Sequence, residues 1–120
     1  DAATIAAYGD ADVTRLLDDP RIIRNRLKVS AAITNARATL ELCQDSPGAL
    51  DTLLWSFAPA PRTKRPSALS DIPATTEEST AMSKALKARG FRFVGPTTMY
   101  ALMQSAGMVD DHLEGCWRVA

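Results

Sequence analysis

The strongest constraint on the fold of this chain is a short turn between two segments with helical patterning near its C-terminal end. Gly90 ends the first segment, which is basic, and Gly95-Pro96 opens the second. Proline at the first position of a helix loses no hydrogen bond, and glycine lets another group approach the backbone closely. The four residues between the glycines join two helices more readily than they form a strand. The pattern therefore predicts two helices joined by a tight hairpin.

The rest of the chain also predicts helices. Apolar residues recur at helical spacing up to about Leu42, at Val29, Ile33, Ala36 and Leu40. Thr75-x-x-Glu78 has the pattern of a capping box and predicts the start of the helix before the hairpin. No window alternates apolar and polar residues over the length of a strand. The sequence predicts an all-α fold.

Prolines divide the chain. Residues 58–74 contain Pro59, Pro61, Pro66 and Pro73, which predicts an irregular connection across the surface. We expect one helical domain over residues 1–120. Its parts are the first helices (1–57), the proline-rich connection (58–74), the two helices with their hairpin (75–107), and a C-terminal helix (108–120).

Charge is balanced overall but unevenly distributed. The formal net charge is zero, which argues against a general polyanion binder, yet two acid-free basic clusters occur. Their members are Arg21, Arg24, Arg26 and Lys28, and Lys84, Lys87, Arg89 and Arg92. Either cluster can bind phosphates or can simply be a solvated helix face. Two cysteines and no secretory leader or membrane span predict a cytoplasmic protein. The absence of an initiator methionine leads us to expect sequence upstream of Asp1.

The start of the second helix of the hairpin has the chemistry of an anion site. A helix N-terminus leaves backbone N–H groups unpaired at the positive end of its dipole. Gly95 carries no side chain there, and Thr97 and Thr98 add hydroxyl groups. A DNA phosphate would fit this arrangement. An ordinary corner between two helices would carry the same glycines, so both interpretations stay open at this point.

The residues after the hairpin narrow the choice. Val109-Asp110-Asp111-His112 follows the second helix, and in this order the chain resembles the helix-hairpin-helix superfamily of base-excision DNA glycosylases. It is most similar to the methyladenine glycosylase family. The runs that carry the resemblance are IIRNRLKV (22–29), NARA (35–38), LWSF (54–57), SDIP (70–73), SKALKARGFRFVG (83–95) and DDHLEGC (111–116).

The resemblance implies a fold and a function. The fold would be an all-α, helix-hairpin-helix glycosylase-like domain that lacks its N-terminal segment. The function would be base-excision repair, by hydrolysis of the N-glycosidic bond of 3-methyladenine in alkylated DNA. The implied partner is double-stranded DNA containing alkylated bases, and no membrane is involved. We expect a monomer that acts at the nucleoid in the bacterial cytoplasm. The alternative is a non-catalytic DNA-binding module or an inactive fragment.

The resemblance also assigns residues. Those expected to contact DNA are Arg24, Lys28, Arg92, Val94, Gly95, Thr97 and Thr98, and those expected to line the base pocket are Thr98, Tyr100 and Ala101. Asp110 matches the catalytic aspartate of the superfamily, but it is equally suited to cap a final helix. His112 and Cys116 would be two ligands of a structural zinc ion, with the other two ligands upstream. No other cofactor is implied.

Overall fold

The computed structural model describes residues 1–118, and every regular element in that range is helical. The α-helices are α1 (Ala2–Ala6), α2 (Asp10–Asp18), α3 (Arg26–Leu42), α4 (Ala49–Trp55), α5 (Glu77–Ala88) and α6 (Pro96–Ala106), with one 3₁₀ turn at Leu69–Asp71. The predicted all-α class is therefore confirmed. None of the helices in the described range has both the length and the apolar character needed to cross a membrane.

Short polar side chains start the helices. Asp1 accepts a hydrogen bond from the Thr4 N–H at 3.1 Å, as the cap of α1. Gly9 precedes α2. The predicted capping box of α5 is displaced by one residue. At α5, Thr76 and Ser79 cap each other reciprocally, with Ser79 N–H to Thr76 Oγ1 at 3.1 Å and Thr76 N–H to Ser79 Oγ at 2.9 Å.

Glycines in the left-handed region end the two helices of the predicted hairpin motif. Gly90 has φ +85° and Gly107 has φ +78°. After α5, the N–H of Phe91 binds the Leu86 carbonyl at 3.1 Å, and after α6 the N–H of Met108 binds the Met103 carbonyl at 2.9 Å. These are the long hydrogen bonds of Schellman motifs, and each joins two buried apolar residues.

The described residues fall into two compact units, each built from two stretches of chain. The first unit comprises Asp1–Asp51 and Ala85–Val94, and the second comprises Thr52–Lys84 and the residues from Gly95 onward. Helices α4 and α5 each continue from one unit into the other. The single domain over residues 1–120 stays a prediction.

In the first unit, α1 and α2 pack on α3. The core cluster comprises Val13, Val29 and Ile33, and the predicted stripe residue Ala36 is also buried. Leu40, the last residue of that predicted stripe, is instead 43% exposed. Arg37 ties α1 to α3, because its guanidinium donates to the Ala6 carbonyl at 2.9 Å and to the Tyr8 carbonyl at 3.2 Å. The arginine thus satisfies carbonyl groups that α1 leaves unpaired at its end.

The second unit buries sulfur-containing and aromatic side chains. Met82 and Met103 are fully buried, and Met99 and Met108 are nearly so. Trp55 is 46% exposed, and the seven-residue helix α4 buries none of its side chains completely.

The predicted C-terminal helix over residues 108–120 is wrong within the described range, because residues 108–118 contain only turns and irregular backbone. Two local features explain this. The Asp110 carboxylate accepts the His112 N–H at 3.1 Å, a turn that competes with helical hydrogen bonding. Gly115 has φ +79°, which a helix does not accommodate. Residues 119 and 120 lie outside the described residues.

Replacing Gly107 with alanine should lower the free energy of unfolding by ~1–2 kcal/mol, because a β-carbon is unfavourable in the left-handed region. A β-carbon built at Gly107 meets no atom within 4 Å, so crowding does not add to the cost. Urea denaturation followed by circular dichroism measures the change. Gly107→Asn is the control and should recover part of the loss, since asparagine tolerates this conformation. Equal stability of the glycine and alanine proteins would contradict the assignment.

Candidate functional site

A buried carboxylate organises the second unit. The Asp111 side chain is only 6% exposed, and its Oδ1 lies 2.8 Å from Nη2 of Arg62. Its Oδ2 accepts a hydrogen bond from the Tyr100 hydroxyl and another from Gln104 Nε2 at 2.9 Å. Arg62 also donates to the Tyr100 oxygen at 3.3 Å, which closes a small network. Burial and the hydrogen bond to Asp111 raise the pKa of Tyr100 above its ordinary value, so the neutral phenol is favoured.

The neighbouring Asp110 has a different environment. Its side chain is 53% exposed, and Oδ2 lies 2.7 Å from Nη1 of Arg65. The hydrogen bond from the His112 N–H, together with Arg65, holds the pKa of Asp110 below its ordinary value. Both carboxylate oxygens therefore already have partners. A carboxylate stabilised in this way is a weaker base than a free one, although it keeps its negative charge.

The two arginines come from the proline-rich connection, which the sequence predicted to be an irregular surface segment. Arg62 and Arg65 fasten it to the segment that follows α6, and the Glu114 N–H adds a hydrogen bond to the Pro66 carbonyl at 3.0 Å. Pro66 is buried. Sequence reasoning missed Asp111, Arg62 and Arg65. A signal was present in the basic run Arg62–Arg65 and the two adjacent aspartates, which have opposite charge.

A cleft of about 440 Å³ lies beside this cluster within the second unit. The lining residues come from the proline-rich connection, the start of α5, and the end of α6 with the residues after it; those with polar side chains include Arg62, Lys64, Arg65, Thr76, Glu78 and Asp110. Tyr100 also contributes to the wall. Positive and negative side chains are mixed here, so the cleft does not select an ion by charge alone.

The tip of the predicted hairpin lies in the first unit. Phe91 and Val94 are buried, whereas the side chains of Arg92 and Phe93 between them are exposed. Phe93 has φ +56°, a left-handed conformation that costs a bulky residue roughly 1–3 kcal/mol unless the surroundings enforce it. Val94, predicted to contact DNA, is thus buried at 7% exposure, while Arg92 is exposed.

The start of α6 lies in the second unit. Gly95 is the N-cap, with φ −64°, and Pro96 takes the first helical position as predicted. No atom lies within 4 Å of a β-carbon built at Gly95, so the approach to the first turn of α6 is open. Thr97 and Thr98 are exposed beside it. The geometry that the sequence predicted for an anion site is present locally.

The other predicted contacts are distributed as follows. Arg24 and Lys28 are exposed at the beginning of α3, in the first unit. In the proposed base pocket, Thr98 and Ala101 are exposed on α6, but Tyr100 is 2% exposed and turns to Arg62 and Asp111. The structure therefore does not bring these three side chains onto one surface, because Tyr100 lies on the buried face of the helix.

His112 and Cys116 approach each other even though no helix joins them. Nδ1 of His112 lies 3.7 Å from Sγ of Cys116. Two ligands of a tetrahedral zinc ion, with Zn–N about 2.1 Å and Zn–S about 2.3 Å, would be about 3.6 Å apart. The pair thus fits half of a zinc site. Within residues 1–118, no group of three or more His, Cys, Asp or Glu side chains is arranged to hold a metal ion.

Comparisons with known proteins cover almost the whole chain. A family model described as methyladenine glycosylase matches residues 1–119. The chain is 46% identical to DNA-3-methyladenine glycosylase 1 of Escherichia coli (strain K12) over 117 residues, which cover 97% of this chain and 62% of that protein. It is 41% identical to the DNA-3-methyladenine glycosylase of Haemophilus influenzae, again covering 97% of this chain and 63% of the relative.

Solved structures give the same result. The fold is similar to a crystal structure of 3-methyladenine DNA glycosylase I, with a TM-score of 0.91 and 44% identity, covering 98% of this chain and 64% of the other. It is also similar to the Staphylococcus aureus enzyme in a structure described as the basis of 3-methyladenine recognition, with a TM-score of 0.87 and 30% identity, covering 98% and 62%. The chain spans a little under two thirds of each relative.

Replacing Asp111 with asparagine should lower the free energy of unfolding by ~2 kcal/mol, because it removes the buried carboxylate that accepts from the Tyr100 hydroxyl and pairs with Arg62. Asp110→Asn is the matched control. It makes the same change at the adjacent, half-exposed carboxylate and should cost clearly less, because solvent screens that ion pair. Urea denaturation of both variants measures the difference. Equal losses for the two would show that Asp111 does not organise this unit.

Proposed function

We propose, on the premise that this chain belongs to the methyladenine glycosylase family, that it forms part of a DNA N-glycosylase that removes 3-methyladenine from alkylated DNA. One observation carries the proposal: the family model matches residues 1–119, and the fold superposes on a 3-methyladenine DNA glycosylase with a TM-score of 0.91. The relatives are 3-methyladenine glycosylases, and the substrate proposed for this chain is taken from them. The chemistry of this chain is compatible with that substrate. The monomeric state and the cytoplasmic location stay predictions.

Removal of 3-methyladenine does not require a general acid. Methylation at N3 gives the purine a positive charge, so the base departs as a neutral molecule. The barrier then lies in forming a sugar with oxocarbenium character, which nearby negative charge stabilises. Asp110 keeps its charge beside the cleft, but its oxygens are held by Arg65 and the His112 N–H. We propose that Asp110 shapes the turn after α6 and is not required as a base.

DNA is held, in this proposal, by the backbone at the start of α6 and by basic side chains. Gly95, Thr97 and Thr98 would bind one phosphate, and Arg92, Arg24 and Lys28 would contact others. Support comes from the open approach at Gly95 and the exposure of Thr97 and Thr98. These contacts would help offset the few kcal/mol needed to extrude a nucleotide from the duplex.

A non-catalytic role is the second candidate, and one observation favours it. The structure does not place Tyr100 with Thr98 and Ala101, so the described residues do not assemble the base pocket expected from them. This chain would then provide the DNA-holding part, and residues elsewhere would recognise the base.

The deciding experiment measures free 3-methyladenine released from methylated duplex DNA by the protein that carries this chain. The enzyme proposal expects release at a rate well above the spontaneous one. Asp110→Asn should keep the single-turnover rate within a few-fold of the unmodified protein. A loss of ~100-fold in that variant would instead identify Asp110 as a catalytic carboxylate. Binding of DNA without any release would establish the non-catalytic alternative.

Replacing Gly95 with aspartate should weaken binding to duplex DNA by about tenfold or more, because it places a negative charge where the phosphate would lie. Gly9→Asp is a matched control. Gly9 also caps a helix, α2, and a β-carbon built there likewise meets no atom within 4 Å. Aspartate is a favourable cap at both positions, so neither change should unfold the protein. Fluorescence anisotropy at fixed salt gives the affinities, and unchanged binding of Gly95→Asp would rule out this phosphate site.

We also propose that His112 and Cys116 supply two of the four ligands of a structural zinc ion, since their 3.7 Å separation fits that geometry. When bound, the zinc ion would hold the segment after α6 in place and take no part in the reaction. The protein that carries this chain should contain one zinc ion per molecule by elemental analysis, and Cys116→Ser should reduce that content. Cys43→Ser is the control and should not. A zinc-free preparation purified without chelators would refute the assignment.

A further inference from the structure

The strongest unassigned feature lies at the tip of the hairpin, in the first unit. The side chain of Asn35, on α3, makes two hydrogen bonds to the backbone of one residue, Arg92. The Arg92 N–H donates to Asn35 Oδ1 at 2.7 Å, and Asn35 Nδ2 donates to the Arg92 carbonyl at 3.0 Å. Only one orientation of the amide satisfies both bonds, because its oxygen can only accept and its NH₂ group can only donate.

These bonds fix the backbone on both sides of Arg92. On one side, Phe91 is anchored by burial and by the Schellman hydrogen bond to Leu86. On the other side, Phe93 has a left-handed φ of +56°, which an unsupported loop residue of its size would leave. The double hydrogen bond from Asn35 immediately precedes this residue and opposes its relaxation.

The two hydrogen bonds from Asn35 set the direction of an exposed cation, Arg92. The backbone of Arg92 is tied to α3, whereas the side chains of Arg92 and Phe93 are exposed. A loop held at both backbone groups of one residue spends less conformational entropy when that residue binds a ligand. Asn35 itself is held by a helix whose core residues Val29 and Ile33 are buried.

We infer that Asn35 is a positioning residue for DNA binding, which acts by holding the Arg92 backbone so that the Arg92 guanidinium faces a DNA phosphate. The inference rests on the proposed hairpin interface and adds a residue that need not touch DNA. It also gives a role to Asn35 in the run Asn35–Ala38, where the neighbouring Arg37 has a separate task in binding the end of α1.

The test compares three variants of the full chain in binding to a fluorescein-labelled duplex that carries one abasic-site analogue. Asn35→Ala removes both hydrogen bonds, and Asn35→Asp keeps the acceptor for the Arg92 N–H but loses the donor. Alanine favours the helical state more than asparagine does, so α3 itself should not unwind. Arg37→Met is the matched control, because it also removes two hydrogen bonds between an α3 side chain and the backbone, both of them to carbonyl groups.

We expect Asn35→Ala to raise the Kd about tenfold, as for the loss of one phosphate contact. Asn35→Asp should weaken binding at least as much, because its carboxylate repels both the Arg92 carbonyl and a nearby phosphate. The slope of log Kd against log salt concentration should fall by about one for Asn35→Ala, because one phosphate contact is lost. Arg37→Met should lower the thermal stability but leave Kd and the salt slope unchanged. Equal losses of affinity for Asn35→Ala and Arg37→Met, or no loss for either change at Asn35, would overturn the inference.

Arg92→Ala separates this inference from the proposed function. If Asn35 acts through Arg92, the variant with both Asn35→Ala and Arg92→Ala should bind as Arg92→Ala alone does. Additive losses in the double variant would show that Asn35 does not act through Arg92. A weakened Arg92→Ala beside a normal Asn35→Ala would refute only the positioning role. An unaffected Arg92→Ala would refute the hairpin interface as well, whatever the excision assay shows.

Discussion

The second unit depends on the pairing of a buried negative charge. The Asp111 carboxylate is 6% exposed, and Arg62, Tyr100 and Gln104 surround it with hydrogen-bonding groups. Those partners come from the proline-rich connection and from α6, so the same interaction fixes the path of an otherwise irregular segment. The same interaction holds the turn that carries Asp110, His112 and Cys116, because Asp111 lies in that turn.

Adjacent aspartates therefore have separate roles. Asp110 lies at the surface, where it accepts the His112 N–H and pairs with Arg65. This arrangement lowers its pKa and keeps it charged, which suits a shaping or electrostatic role better than proton abstraction. A substrate that leaves as a neutral base does not need a stronger acid or base from the protein. The geometry at Asp110 and the chemistry proposed for methyladenine excision are thus compatible.

In the proposed DNA interface, the two parts of the hairpin would contact phosphates through different features of the backbone. At the start of α6, the absence of a side chain at Gly95 leaves the helix N-terminus open. At the tip, Asn35 holds Arg92 by both of its backbone groups, while Phe93 keeps a strained conformation. Neither feature reads a base sequence, as expected of a protein proposed to find a lesion wherever it occurs.

The sequence by itself determined the helices, the glycines that end them, the family and the opening of α6, because these depend on local periodicity, capping and φ preferences. It placed the cap of α5 one residue away from its position, since the neighbouring residues Thr75 and Thr76 are nearly equivalent as caps. Residues 108–118 form turns instead of a helix for local reasons that helical periodicity does not reveal, namely the Asp110–His112 hydrogen bond and the positive φ of Gly115. Only the tertiary structure decided that Tyr100 is buried and that Arg62, Arg65 and Asn35 are organising residues. Each of these depends on partners far apart in the chain, such as Arg62 with Tyr100 and Asn35 with Arg92, and helical periodicity carries no information about such pairs.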